Sequence, residues 1–432
     1  MTRLSRRKKM KENSRDQIPP PFELKGRFAT AIVYARDVDE KAVGQIIALC
    51  NQPFAEGTHI CVMPDVHTGA GCVIGLTMDL NRSDAVCPNL VGVDIGCGVR
   101  VSELGRVTLD WQQLDDVIRE SVPSGQNVHR QTYREDVDFF YTLFNALFVK
   151  DRIKKSEKME WLERSLGTLG GGNHFIEFDT DNAGRTYLIV HSGSRHFGLT
   201  VAKRYQEIAI DTIKESVKTR KEKNQMMPRT LAAHGRSREI EKTPKSMKKE
   251  PDSLSRNRDL AYLEGPDKDH YLHDIRLVQT YAEKNRQRIA ESILRKMGLK
   301  ELSGFESVHN YIDDKNILRK GAIAAYAEQP VIIPLNMRDG CILGTGKGNP
   351  DWNGSAPLGA GRLMSRHEAK KTLSLDDFRS QMKGVYSTCV DRTTIDESPM
   401  AYKSVGDILP VLKDTIDVLR IIRPVYNFKA SE

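Results

Sequence analysis

Residues 91–100 read VGVDIGCGVR. An apolar run leads into two polar residues three positions apart, Asp94 and Cys97, among glycines at 92, 96 and 98. Glycine lets the backbone fold tightly, so a carboxylate and a thiol at such a strand-end turn can face a shared cation. Alone the pattern is weak, because a cysteine in an apolar run is ordinarily a small core residue. The same pattern recurs outward from this stretch. ATAIVYA (29–35), HICVMPDV (59–66), CVIGLTMDL (72–80) and LVGVDIGCGV (90–99) predict short strands broken by glycine turns. LGTLGGGNHFIEF (166–178) and RTYLIVHSGSRHFG (185–198) predict strand–loop–strand, and PVIIPL (330–335) and CILGTG (341–346) predict strands. Three- and four-residue apolar spacing predicts helices over 109–122, 134–165, 199–217 and 268–298, with another inside 366–382. The mixture argues an α/β class. The order does not fit a βαβ series, so a doubly wound sheet is not expected.

The chain has 432 residues, 39% of them hydrophobic and 29% charged, which excludes a collagen or a wholly disordered chain. No run of about 18 apolar residues offers a membrane span, and the basic N-terminus has no apolar stretch behind it to make a secretory signal. Seven cysteines, an odd number spread along the chain, do not form a disulfide framework and point to a reducing, cytoplasmic setting. The net charge of +8 comes from two segments. Residues 218–258 hold 13 Lys/Arg against 5 Asp/Glu, and residues 1–16 hold 7 against 2. Residues 1–20 are read as a basic tail. Residues 218–258 are read as a loop-like, flexible insertion, either a solvated tether or a sequence-independent attractor of phosphate backbones.

Three histidines share the setting of Asp94 and Cys97. His174 follows three glycines, His191 ends an apolar run in LIVHSGSR, and His309 lies in SVHNYI. One thiol, one carboxylate and three imidazoles at such junctions make a plausible two-metal site, with a thiolate bridging two divalent ions about 3.5–4 Å apart. Ligand softness alone favours zinc over manganese.

MPDVHTGAG, VGVDIGCGVR, LGGGNHFIE, VHSGSRHFG, VHNY, RKGA and GAGRLMSR occur in one order, and together they resemble the RtcB family of RNA-splicing ligases over roughly residues 28–430. The resemblance implies a single large mixed α/β domain over 21–432. It also implies an enzyme dependent on GTP and two Mn2+ ions that joins RNA 3′-phosphate or 2′,3′-cyclic phosphate ends to 5′-hydroxyl ends, in tRNA splicing and RNA repair. It marks Asp94, Cys97, His174, His191 and His309 as the metal ligands, with Cys97 bridging. Asn173, Glu177, Asn310, Tyr402 and Lys429 match nucleotide-contacting positions. Glu177 would accept from the guanine Watson–Crick edge, where adenine lacks the same donors. Pro334, Asn336 and Cys341 fall on an expected phosphate-contacting loop, where Arg338 and Lys347 would add charge. Gly359, Ala360, Gly361 and Arg362 continue the nucleotide motif. Asp65, with His67, is expected at metal or RNA-end contacts.

The family's motif places a guanylylated histidine where this chain has Leu358, in SAPLGAGR. Leucine has no lone pair and forms no phosphoramidate. Three explanations stay open: a residue replaced to trap the state before reaction, a natural paralogue that has lost guanylylation, or attack by another side chain, His367 or Cys341. Besides the ligase, the residues admit a metal-dependent RNA-end phosphodiesterase and a non-catalytic RNA- or nucleotide-binding paralogue. Deleting residues 218–258 is expected to weaken RNA binding and flatten its dependence on salt while metal content stays unchanged; loss of metal on deletion would show the segment to be part of the fold.

Overall fold

The computed structural model describes residues 20–233 and 258–430, with the backbone alone over 216–233. Two antiparallel-rich sheets carry the architecture. The six-stranded sheet runs Phe22–Lys25, Thr30–Val33, Ile60–His67, Ile74–Asp79, Ile317–Lys320, Asn310–Ile312, with its only parallel pair between Thr30–Val33 and Ile60–His67. The seven-stranded sheet runs Ser303–Val308, Gly98–Gly105, Thr186–Ser192, Phe175–Thr180, Ile416–Lys429, Gly340–Gly346, Pro330–Asn336, and every neighbouring pair in it is antiparallel. The expected mixed α/β class is therefore observed, without a doubly wound sheet.

Helix Gly265–Met297 packs behind both sheets. Tyr271, Ile275, Val278, Ala282, Ile289 and Ile293 form its buried stripe at helical spacing. It stops at Gly298, which takes the left-handed φ of 65° that a C-terminal cap requires. Helix Trp111–Ser121 starts where the Asp110 side chain accepts from the Gln113 amide. All seven cysteines are free and buried. Among the described residues no helix is long and apolar enough to cross a membrane.

Five expectations change. The 134–165 helix is three pieces, Arg134–Ala146, Lys150–Lys154 and Met159–Glu163. Asp274, buried on the long helix, accepts from the amides of Phe148 at 3.0 Å and Val149 at 3.3 Å and draws the backbone out of helical pairing. Residues 91–97 form a turn rather than strand. Gly92 and Gly96 hold φ of 94° and 71°, the Cys97 amide donates to the Asp94 carbonyl, and the strand begins only at Gly98. Residues 366–382 split into Arg366–Thr372 and Leu375–Gln381, because Ser374 caps a second helix through the Asp377 amide. The loop-like reading of 218–258 is overturned for 218–233, where helix Arg195–Ala233 continues; Lys, Arg, Glu, Gln and Met dominate the start of that stretch and favour helix without any apolar stripe. Its residues 234–257, and residues 1–19 of the basic tail, lie outside the described residues. Strand Ile416–Lys429 was not anticipated; its alternation is broken by Pro424 and by the register shift between Pro424 and Tyr426.

Gly96 shows how tightly the Asp94–Cys97 turn is held. A Cβ there would lie 2.9 Å from the Ala282 Cβ and 3.1 Å from the Gln279 Cα, on a left-handed residue. Gly96→Ala is expected to destabilise by about 2–5 kcal/mol, from about 1–2 for the left-handed conformation and about 1–3 for overpacking. Urea unfolding checks this, and a loss under about 1 kcal/mol would mean the turn adapts freely.

Candidate active site

In an antiparallel sheet the end of one strand lies beside the start of its neighbour. Four adjacent strands of the seven-stranded sheet use this to gather polar side chains at one edge. Gly98 pairs with both Ser192 and Val308, and Phe175 pairs with His191. Cys97 just before one strand, His191 near the end of the next, His174 just before a third and His309 just after the fourth therefore meet. Strand Ile416–Lys429 adds Lys429, paired with Phe175, at the same edge.

The five expected ligands converge. The Cys97 Sγ lies 3.3 Å from the His174 Nε2 and 3.4 Å from the His191 Nε2. The His191 and His309 Nε2 atoms are 3.4 Å apart, and the His174 Nε2 is 3.0 Å from the Asp94 Oδ2. A chain of hydrogen bonds orients His174. Its Nδ1 donates to the Leu169 carbonyl at 2.8 Å, which also accepts from the Ser192 hydroxyl at 2.8 Å. The Asn285 amide donates to the Ser192 hydroxyl at 3.0 Å. This fixes the ring with Nε2 facing Cys97 and Asp94, the arrangement typical of a metal-binding imidazole. Burial, reinforced by the neighbouring imidazoles, drives His191 far below the ordinary histidine range, and burial pushes His309 down to about 3. Both stay neutral, with lone pairs available. Burial raises Asp94, but the His174 imidazole and the Arg195 charge outweigh it and hold the carboxyl at about 2. Burial and the Asp94 charge push the Cys97 thiol well up; a bound cation reverses that balance, since a coordinating thiol is deprotonated. Among the described residues the buried His309 Nδ1 has no hydrogen-bond partner. The donor set thus fits divalent cations.

These groups open into a cavity of about 360 Å³. Asp65, Asn173, Glu177, Asn310, Pro334, Asn336, Leu358, Gly359, Ala360, Gly361, Arg362, Tyr402 and Lys429 line it with Asp94, Cys97, His191 and His309. His174 and Cys341 stand behind the wall. Cys341 is fully buried with its Sγ 3.9 Å from the Glu177 Oε1, too weak and too remote for a phosphate donor. Asn336 spends its side chain on its own hairpin turn, accepting from the Arg338 and Asp339 amides and donating to the Asp339 carboxylate. Arg338 pairs with Asp339, and Lys347 reaches Asp417 and the Lys413 carbonyl, away from the cavity. His367 is exposed on helix Arg366–Thr372 and does not line the cavity, whereas His67 does.

Glu397, which no motif signalled, organises the far wall. Its carboxylate, only 3% exposed, accepts from the Tyr402 hydroxyl at 2.9 Å, Arg362 at 3.3 Å, Arg366 at 2.5 Å and Lys429. Burial opposes ionisation, but Lys429 and Arg366 hold Glu397 below the usual glutamate range. The Arg362 guanidinium also lies over the Tyr402 ring. Glu177 is held by the Asn427 amide at 2.5 Å, and burial pushes its carboxyl up to about 7. Beneath it Asp179, wholly buried, is driven well up by burial and by the Glu177 charge. The i, i+2 spacing of Glu177 and Asp179 on one strand was the available signal for this pair. Glu397 and Asn427 had none.

The family profile described as tRNA-splicing ligase RtcB matches residues 45–430. The RNA-splicing ligase RtcB of Escherichia coli (strain K12) is 29% identical, covering 91% of this chain and 95% of its own length. The tRNA-splicing ligase RtcB of Aeropyrum pernix is 27% identical over 88% and 90%, and that of Archaeoglobus fulgidus 28% over 87% and 88%.

Asp65 joins the site to the fold. Its Oδ2 accepts from the amides of Leu358 at 3.1 Å and Gly359 at 3.3 Å, fixing the loop that carries residue 358. Burial pushes its carboxyl up to about 7 against these bonds. The folded chain therefore keeps this proton to higher pH than the unfolded chain, whose aspartate titrates near about 4. The associated stability is present below about pH 4 and is lost as pH rises through about 7. The stability of the parent relative to Asp65→Asn is expected to fall from about pH 4 to 8 in urea unfolding. A parent–variant difference that stays flat or rises would show that Asp65 ionises freely in the fold.

Proposed function

Because the chain belongs to the RtcB family of RNA ligases, we propose that it acts on RNA carrying 3′-phosphate or 2′,3′-cyclic phosphate and 5′-hydroxyl ends, with GTP and two Mn2+ ions, and that residue 358 carries no guanylyl group. The observation that supports this most is the coexistence, in one cavity, of a complete set of ligand side chains with an aliphatic residue at the family's nucleophile position.

Asp94, Cys97, His174, His191 and His309 would hold the cations, with Cys97 central because its sulfur meets two of the imidazoles. When bound, the ions supply Lewis-acid neutralisation of phosphate charge. Arg362 and Lys429, already gathered by Glu397, attract phosphate and base to the opposite wall. Tyr402 offers a ring face for packing a base. Glu177, held by Asn427, accepts from guanine N–H groups in its carboxylate form, and its position near the point of ionisation at neutral pH ties guanine recognition to pH. Asp65 anchors the 358–359 amides, so the loop beside the ligands is ordered whichever side chain stands at 358. Leu358 itself packs against the apolar cluster that includes Ile333, Ala360 and Ile408. It closes off covalent transfer of GMP to this residue while leaving the ion and base positions open.

A second reading follows from that same leucine. A metal-dependent phosphodiesterase that opens 2′,3′-cyclic ends needs the ligands and no histidine at 358.

The test is intact mass after incubation with GTP and Mn2+. The parent is expected to gain nothing, and Leu358→His is expected to gain one GMP per chain. A metal-loaded Leu358→His chain that takes up no GMP would overturn the nucleotide assignment. Opening of a cyclic end by the parent, abolished by Asp94→Ala, would favour the phosphodiesterase instead.

A further inference from the structure

Arg286 lies on the inward face of helix Gly265–Met297 and is fully buried. Its Nη1 donates to two carbonyls, Gly96 at 2.6 Å and Ser192 at 3.0 Å. Its Nε and Nη2 both donate to the Glu306 Oε2, at 3.1 and 2.6 Å. Each partner is next to or near a ligand residue in sequence. Gly96 precedes Cys97, Ser192 follows His191, and Glu306 lies on strand Ser303–Val308, which leads directly into His309. One planar group therefore ties together three chain segments that share no sequence proximity. The Gly96 side of the clamp is reinforced by the same helix, since Gln279 and Ala282 lie so close that a Cβ at Gly96 would come within 3.1 Å of the Gln279 Cα and 2.9 Å of the Ala282 Cβ.

Resting on the two-cation reading above, we propose that Arg286 is a positioning residue of the metal centre: it sets the spacing of Cys97, His191 and His309 by holding the backbone beside each. A guanidinium suits this task because its donors point in fixed in-plane directions, so one group can meet two carbonyls and a carboxylate at once. A lysine ammonium carries fewer donors on a flexible stem and cannot span the same three acceptors. Glu306 offsets the cost of burying the charge. Its charge is felt by Cys97, His191 and His309, but its hydrogen bonds go to the backbone and to Glu306, so its positioning role passes through the ligand segments; Arg286→Lys keeps the charge and removes that geometry.

The test uses the full chain, stripped of metal and titrated with Mn2+ by calorimetry, with elemental analysis for stoichiometry and Co2+ substitution to report sulfur coordination by its thiolate charge-transfer absorption. Arg286→Lys is expected to weaken Mn2+ binding about 10–100-fold, as loss of an outer-shell partner does, and to reduce the Co2+–thiolate absorption. Glu306→Gln releases the other end of the clamp and is expected to move both readouts in the same direction by a smaller factor. Folded variants with the parent's affinity and absorption overturn the role of Arg286. Should Arg286→Lys fail to fold, Glu306→Gln decides: weakened binding supports the clamp and parent-like binding overturns it. A parent chain that takes up no Mn2+ overturns the metal centre and this role with it, whereas a parent that binds alongside variants that bind equally overturns the role alone.

Discussion

The hydrogen-bond register of four neighbouring antiparallel strands is the constraint on which the rest of this protein depends. Gly98 sits across from Ser192 on one side and Val308 on the other, and His191 lies across from Phe175. Strand starts and strand ends alternate along this sheet edge, so residues more than 200 positions apart in sequence, Cys97 and His309, share hydrogen bonds through their backbones. A slip of one residue in any pair would turn the imidazole or thiol to the opposite face. The ligand set is thus a property of register before it is one of side-chain chemistry, and the glycines around it serve that register by letting the chain leave each strand sharply.

From that edge the cavity divides into two electrostatic halves. On the ligand side, burial keeps His191 and His309 neutral, so lone pairs rather than protons face the centre. On the far side, Arg362, Arg366 and Lys429 converge on Glu397, with Asp396 taking a second contact from Arg366. Charges buried in this way are costly to assemble and more costly to leave unpaired. Here Glu397 and Asp396 partner three cations, Arg362, Arg366 and Lys429, which outnumber the two carboxylates. Glu177 and Asp179 occupy the remaining corner, where burial raises both carboxyls and the Glu177 charge raises Asp179 further.

Leu358 fits this division in a physical sense. The backbone around it is held as a reactive loop would be, by two amides donating to Asp65. Its side chain belongs to the apolar cluster behind the loop.

Much of the site was legible in the amino-acid string because thiol, carboxylate and imidazole at glycine junctions are chemically rare and stand out from an apolar background. Asp94, Cys97, His174, His191 and His309 were identifiable in this way, and so was the mixed α/β class, since strand and helix periodicities both persist. The long helix was read within three residues at each end because its apolar stripe and Gly298 are local signals. Tertiary contacts decided what local pattern could not. Asp274 ended the first helical piece, Arg134–Ala146, by capturing the amides of Phe148 and Val149 just beyond it, from a distance in sequence. Glu397 became the anchor of four cavity residues, and Arg286 the clamp behind three ligand segments, although each is an ordinary charged residue in an ordinary stretch. The sequence by itself determined which donor atoms exist and the local turns that expose them. Only the folded sheet decided which of them meet, because long-range hydrogen bonding and the partnering of buried charge depend on neighbours that no local window contains.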